Sequence, residues 1–178
     1  MAVREILLYP NPILKQVCEP LDPTTPLGAE VAADLEETLD SGPGVGLAAP
    51  QIGHPWRVIL VDAGRNPKRF GQGRFILFNP RVVSRTGTQK IREGCLSIPE
   101  YTGDVIRAAE VEVEGLDREG NSVTIQSFDY EAVVFQHELD HLDGIVFLDR
   151  MKDMASLTHL REYQKFWAPP APMAVKLF

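Results

Sequence analysis

Between Thr25 and Leu39 the apolar residues Leu27, Val31, Leu35 and Leu39 return every four positions, which lines them along one face of a helix. Thr25 reads as its N-cap and Pro26 as its first helical residue, so the pattern predicts about four turns, ending at Ser41-Gly42-Pro43-Gly44. Ahead of it, Ile6-Leu7-Leu8-Tyr9 is an apolar run stopped by Pro10 and Pro12 and reads as extended chain. Small residues dominate Val45 to Gly53. Val58–Val61 and Phe75–Phe78 read as strands separated by an Asp62–Arg74 loop, with Asn79-Pro80 breaking or bulging the second. Thr88–Ile91 is a further strand. Val111 and Val113 alternate with polar residues, as do Val123 and Ile125, and Asp117-Arg118-Glu119-Gly120 between them is a hairpin signal. A helix is expected from about Asp129 through His141. Met151, Met154, Leu157 and Leu160 predict an amphipathic helix to about Trp167, ended by the proline run from 168 to 172. Strands in the middle and helices at both ends indicate one α+β domain.

Composition narrows the class. A chain of 178 residues, 44% hydrophobic and 24% charged, is long enough to bury a core without crosslinks. The net charge of -7 argues against a body that binds nucleic acid, and no apolar run approaches membrane-spanning length. No sequence-specific nucleic-acid binding and no membrane are therefore expected. The start, with a four-residue apolar run and one Arg beside a Glu, resembles neither a signal nor a transit peptide, so a cytoplasmic setting is expected. With two cysteines and a reducing compartment, a metal or reactive role is expected for at least one, and Cys18 reads as a small core residue.

The chemistry lies in Gln136-His137-Glu138-Leu139-Asp140-His141. Histidines four apart sit one turn apart on one helical face and can converge on one metal ion. Glu138, roughly 100° round the helix, can stand beside that ion and take a proton from its water. Cys95, between Gly94 and Leu96 in what reads as a compact loop, is a candidate third ligand, with a buried structural cysteine as the alternative. Three protein ligands would leave a position for water, the mark of a catalytic site. Tyr130, Val133, Val134 and His137 share neighbouring parts of one helical face and predict a side-chain pocket, with Val45, Ile91 and Glu93 as opposite walls; core packing is the alternative for each valine. Asp140 is expected to support a ligand histidine, with Arg107 to neutralise it. Gly44 and Gly46 are turn glycines, or positions kept bare so that a substrate backbone can lie alongside.

Gly44-Val45-Gly46-Leu47-Ala48-Ala49-Pro50-Gln51, Glu93-Gly94-Cys95-Leu96-Ser97 and Gln136 to His141 match, in order, the three motifs of the peptide deformylases. The chain resembles that family from about Ile6 to Met151, including Tyr9-Pro10 and Leu148-Asp149-Arg150. The resemblance implies a catalytic domain over 1–167 with a Pro-rich tail over 168–178, and antiparallel or mixed sheets around the HExxH helix. It implies that Cys95, His137 and His141 hold one divalent metal, typically iron(II), with zinc, nickel or cobalt able to replace it. It further implies hydrolysis of the formyl group from N-formylmethionyl nascent peptides. A metal-bound water would attack, with Glu138 as base and then acid, and with Gln51 and the Leu96 N–H on the developing oxyanion. Val45, Gly46 and Gly94 would bind the substrate backbone. Meeting of substrates at the ribosome is implied too, with the helix expected over 150–167 as the place of contact; a solvated face is the alternative for the mildly basic segment from Asp149 onward. The alternatives are an HExxH metallopeptidase, a deformylase-like protein acting on another N-acyl group, and a binding module that keeps the metal structurally.

Overall fold

The computed structural model describes residues 2–162. Helix α1 spans Pro26–Asp40, with Thr25 as N-cap accepting from the Gly28 N–H at 3.1 Å. Val31, Ala32, Leu35 and Leu39 are buried along one side, each large residue worth about 1.5–3 kcal/mol of burial. Gly28 is required by close approach: a Cβ there would stand 2.6 Å from the Asp22 carbonyl oxygen.

Five antiparallel strands form the main sheet: β1 (Gly46–Ala48), β2 (Val58–Val61), β3 (Phe75–Thr86), β6 (Glu110–Leu116) and β7 (Ser122–Phe128), in the order β1-β2-β3-β6-β7. Strand β2 is apolar at every position because both its faces are covered. Val58 and Leu60 pack with α1, whereas Ile59 and Val61 belong to the core beneath helix α2 (Asp129–Leu142). Strand β3 runs on past Asn79-Pro80 to Thr86, so these residues make a bulge rather than an end. Asn79 takes a positive φ of 50°, and its side chain accepts from the Leu21 N–H and donates to the Leu21 carbonyl, both at 2.9 Å.

A second sheet pairs β4 (Gln89–Cys95), β5 (Ile98–Arg107) and β8 (Thr158–His159) in that order, all antiparallel. It packs on the short helix α3 (Phe147–Arg150) through a core that includes Val105, Val146 and Phe147. The α+β domain with antiparallel sheets is as expected, and the elements α1, α2, β2 and the β6–β7 hairpin fall where their patterns place them.

Two expectations are corrected, and one strand is found that was not expected. Cys95 is the last residue of β4 and does not sit in a loop. Strand β5 carries no apolar alternation and is not signalled by the sequence; Thr102 and Arg107 are among its buried residues. The helix expected from Met151 is, as far as Leu157, a single turn at Met154–Ser156, followed by β8, with helix only from Leu160. Ser156 holds that turn down: its hydroxyl accepts from the Asp104 N–H at 3.1 Å and its carbonyl from Arg92 at 3.0 Å. The rest of that helix and the Pro-rich tail lie outside the described residues.

Candidate metal centre and its cleft

Helix α2 and strand β4 bring the candidate ligands together. His141 Nε2 stands 3.3 Å from Cys95 Sγ, and one donor atom from each of Cys95, His137 and His141 lies within 4.8 Å of the others. Among the described residues this is the one cluster of three such groups that can hold a metal ion. Cys18, His54 and His159 lie elsewhere. Cys18 is core, its thiol pushed up to about 11 by burial; His54 pairs with Asp34 at 3.2 Å; and His159 packs on Tyr101.

The imidazole of His137 is held from behind. Its Nδ1 meets Glu93 Oε2 at 2.8 Å, which leaves Nε2 as the atom it can offer to a metal. Glu93 in turn receives Arg107, Nε to Oε1 at 2.7 Å and Nη2 to Oε2 at 3.0 Å. Arg107 also donates to Asp140 at 2.5 Å, and Arg150 clasps both Asp140 oxygens at 2.6 and 3.0 Å. The expected Asp140–Arg107 pair is present, but the support of His137 comes from Glu93, which the sequence marks only as a pocket wall. Arg150 enters the sequence reading only as part of a motif.

These contacts set the charges. Burial raises the Cys95 thiol, but the His141 charge and hydrogen bonds with both imidazoles outweigh it and hold the group well below its ordinary value, as a thiolate. Burial works against Glu93 too, yet His137 and Arg107 bring its carboxyl down to about 2. Glu138 is different: burial raises it to about 7 against the pull of the two imidazoles. Its Oε2 is buried without a hydrogen-bond partner among the described residues, an arrangement that costs stability and suits a carboxylate kept for proton transfer.

Gln51 completes the group. Its Oε1 accepts from the Ala48 N–H at 2.9 Å, which turns Nε2 toward Ser97 Oγ at 3.2 Å and Cys95 Sγ at 3.5 Å. Ser97 is buried, and the sequence marks it only as the last residue of the second motif, without a role.

A cleft of about 570 Å³ opens in front of the cluster. Gly44, Val45, Gly46, Gln51, Glu93, Gly94, Cys95, Leu96, Tyr130, Val133, Val134, His137 and Glu138 all line it, while His141 is buried and does not. Strands β1 and β4 are end strands of their sheets, and both border the cleft. Leu160 and Tyr101 add a wall that the sequence does not suggest.

The chain matches the polypeptide deformylase family over residues 3–156. It is 42% identical over 153 residues to the peptide deformylase of Heliobacterium modesticaldum, covering 86% of this chain and 97% of that one. The crystal structure of the peptide deformylase from Thermus thermophilus is 37% identical, with a TM-score of 0.75 over 84% of this chain and 86% of that chain. A Met-Ala-Ser-bound class I type b peptide deformylase from Acinetobacter baumannii is 30% identical, with a TM-score of 0.79 over 84% of this chain and 99% of that chain.

Proposed function

Since the chain belongs to the peptide deformylase family, we propose the part each residue takes in removing the formyl group from N-formylmethionyl polypeptides. The observation that carries this reading is the convergence of a thiolate from β4 and two imidazoles from α2 beside the buried carboxylate of Glu138, whose Oε2 has no hydrogen-bond partner among the described residues. Cys95, His137 and His141 would hold one divalent ion, and the donor set fits: thiolate and imidazole suit iron(II), zinc, nickel and cobalt, and three ligands form an open catalytic site. Iron(II) is the ion we assign in the cell. When bound, such an ion polarises the formyl carbonyl and acidifies water.

The chain's own groups carry the protons and the charge. Glu138 takes a proton from the water that adds to the formyl carbon. As the carbonyl oxygen becomes negative, Gln51 Nε2 and the Leu96 backbone N–H donate to it, with Gln51 already oriented by its Ala48 and Ser97 contacts. Glu138 then returns its proton to the amine nitrogen as the carbon–nitrogen bond breaks, giving formate and a free amino terminus.

The substrate lies as an added strand between the edges of β1 and β4, reading main chain at Val45, Gly46 and Gly94. The methionine side chain enters between Tyr130, Val133 and Val134 on α2 and Glu93 opposite, with Gly44 leaving room at the lip. A peptidase working on ordinary amides is disfavoured by this third ligand, because such enzymes draw theirs from His or Glu further along the chain. Encounter with nascent chains at the ribosome and a cytoplasmic location belong to the same proposal. Among the described residues no helix is long and apolar enough to cross a membrane.

The test is formate release from formyl-Met-Ala-Ser beside acetyl-Met-Ala-Ser, with protein prepared without oxygen and loaded with iron(II) or nickel. Release from the formyl peptide alone, abolished by Glu138→Ala with metal retained, is expected. Equal turnover of the acetyl peptide, or none of either with one metal per chain, would overturn the reading.

A further inference from the structure

The segment Ser41-Gly42-Pro43-Gly44, which leads from α1 into β1 and borders the cleft, is held by a side chain more than twenty positions further along the chain. Arg65 Nε donates to the Gly44 carbonyl at 2.9 Å, and its Nη2 to the carbonyls of Gly42 at 2.7 Å and Leu39 at 3.0 Å. Its Nη1 meets Asp40 at 2.6 Å. The contact with Leu39 is what a helix C-terminus calls for, since α1 has no basic residue in its last turn. The other two carbonyls lie beyond the helix, so capping does not account for them.

We propose that Arg65 is a positioning residue that fixes the β1 edge in the shape that receives the substrate backbone. Ser41 and the Gly42 N–H are tied to the end of α1, and Pro43 fixes its own φ, but Gly42 and Gly44 on either side of it have no side chain to hold them, and glycine loses more freedom on ordering than any other residue. A guanidinium presents several donors in one rigid plane, so one side chain can order several backbone carbonyls before substrate arrives. The Asp62 N–H to Val45 carbonyl bond at 2.8 Å continues the same tie one residue on. The order is thus in place beforehand, and substrate binding does not have to supply it.

This rests on the substrate strand proposed above, and the test separates the two. Steady-state kinetics are measured on formyl-Met-Ala-Ser and on formyl-Met-amide, which lacks the residues that reach along the edge. Wild-type protein inactive on both would refute the deformylase reading itself. With an active wild type, Arg65→Ala is expected to raise KM for the tripeptide about tenfold with kcat little changed, the scale of one lost charge-assisted contact. KM for the amide should move much less. Arg65→Lys should recover only part, because an ammonium cannot span three carbonyls. Arg74→Ala is the control: Arg74 makes its ion pairs with Asp40 and Asp62 at the same corner, so its loss should leave the ratio between substrates unchanged. An equal fall on both substrates, a fall in kcat alone, or the same change from Arg74→Ala would overturn the proposal.

Discussion

Glu138 and Glu93 carry the same side chain, yet their surroundings send them opposite ways. Glu138 is buried, with its Oε2 unpartnered among the described residues, and raised to about 7; Glu93 is buried between His137 and Arg107 and lowered to about 2. The first is poised to exchange protons and the second to stay charged. Glu138→Gln keeps the shape and removes the proposed base, so kcat should fall about 10²–10⁴-fold while metal content holds and the melting temperature does not fall, as metal analysis and thermal scans would show. Glu93 is a stability group. Its folded value lies below its ordinary 4.5, so its contribution is fully present above that pH and is lost as pH falls toward 2. In protein stripped of metal, Glu93→Gln should cost about 3 kcal/mol near neutrality and flatten the acid limb below 4.5, read from denaturant unfolding at several pH values. At this scale the sequence is most legible where spacing is local. The His137–His141 pair and Glu138 follow from helical geometry, whereas the oxyanion role of Gln51 and the ligand role of Cys95 lean on resemblance, and Ser97 and Arg150 join by contacts from 10 to 46 positions away.

The elements do the gathering. Helix α2 supplies both imidazoles and the carboxylate, β4 the thiolate and Glu93, and β1 the edge along the cleft. β1 approaches α2 so closely that a Cβ on Gly46 would overlap Glu138 Oε1 and stand 2.9 Å from Val134 Cγ1. Gly46→Ala should therefore displace the proposed base and lower kcat/KM about 100-fold with little loss of fold, measured with the formyl tripeptide and circular dichroism. Element identity is legible where burial is one-sided or complete, as in α1, β2 and the β6–β7 hairpin. It is hidden in β5, which buries Arg107 in the polar network and Thr102 against Arg92, and so lacks apolar alternation. The segment after Met151 misleads, because residues three apart also fit a turn followed by a strand: Met151 and Leu157 pack on the core of Val105, Val146 and Phe147 while Met154 is exposed.

In the whole molecule, two bodies meet at the cluster. The main sheet lies between α1 and α2, the second sheet packs on α3, and the proposed ligands come from both, with Arg107 and Arg150 as ties across the same seam. An ion bound only by the folded chain adds about 2.7 kcal/mol at a hundred times its dissociation constant, so chelation should lower the melting temperature by about 5–10 °C. Cys95→Ser should abolish most of that difference. The overall class is legible because strands fill the middle of the chain; the split into two sheets is not, since it depends on which edges pair. The most direct measurement is the absorption spectrum of cobalt(II)-loaded protein. The account predicts one cobalt per chain, with a thiolate-to-cobalt charge-transfer band and tetrahedral ligand-field bands that survive in Glu138→Gln, and loss of the charge-transfer band in Cys95→Ser. A charge-transfer band unchanged by Cys95→Ser, or a spectrum of octahedral oxygen ligation, would contradict it.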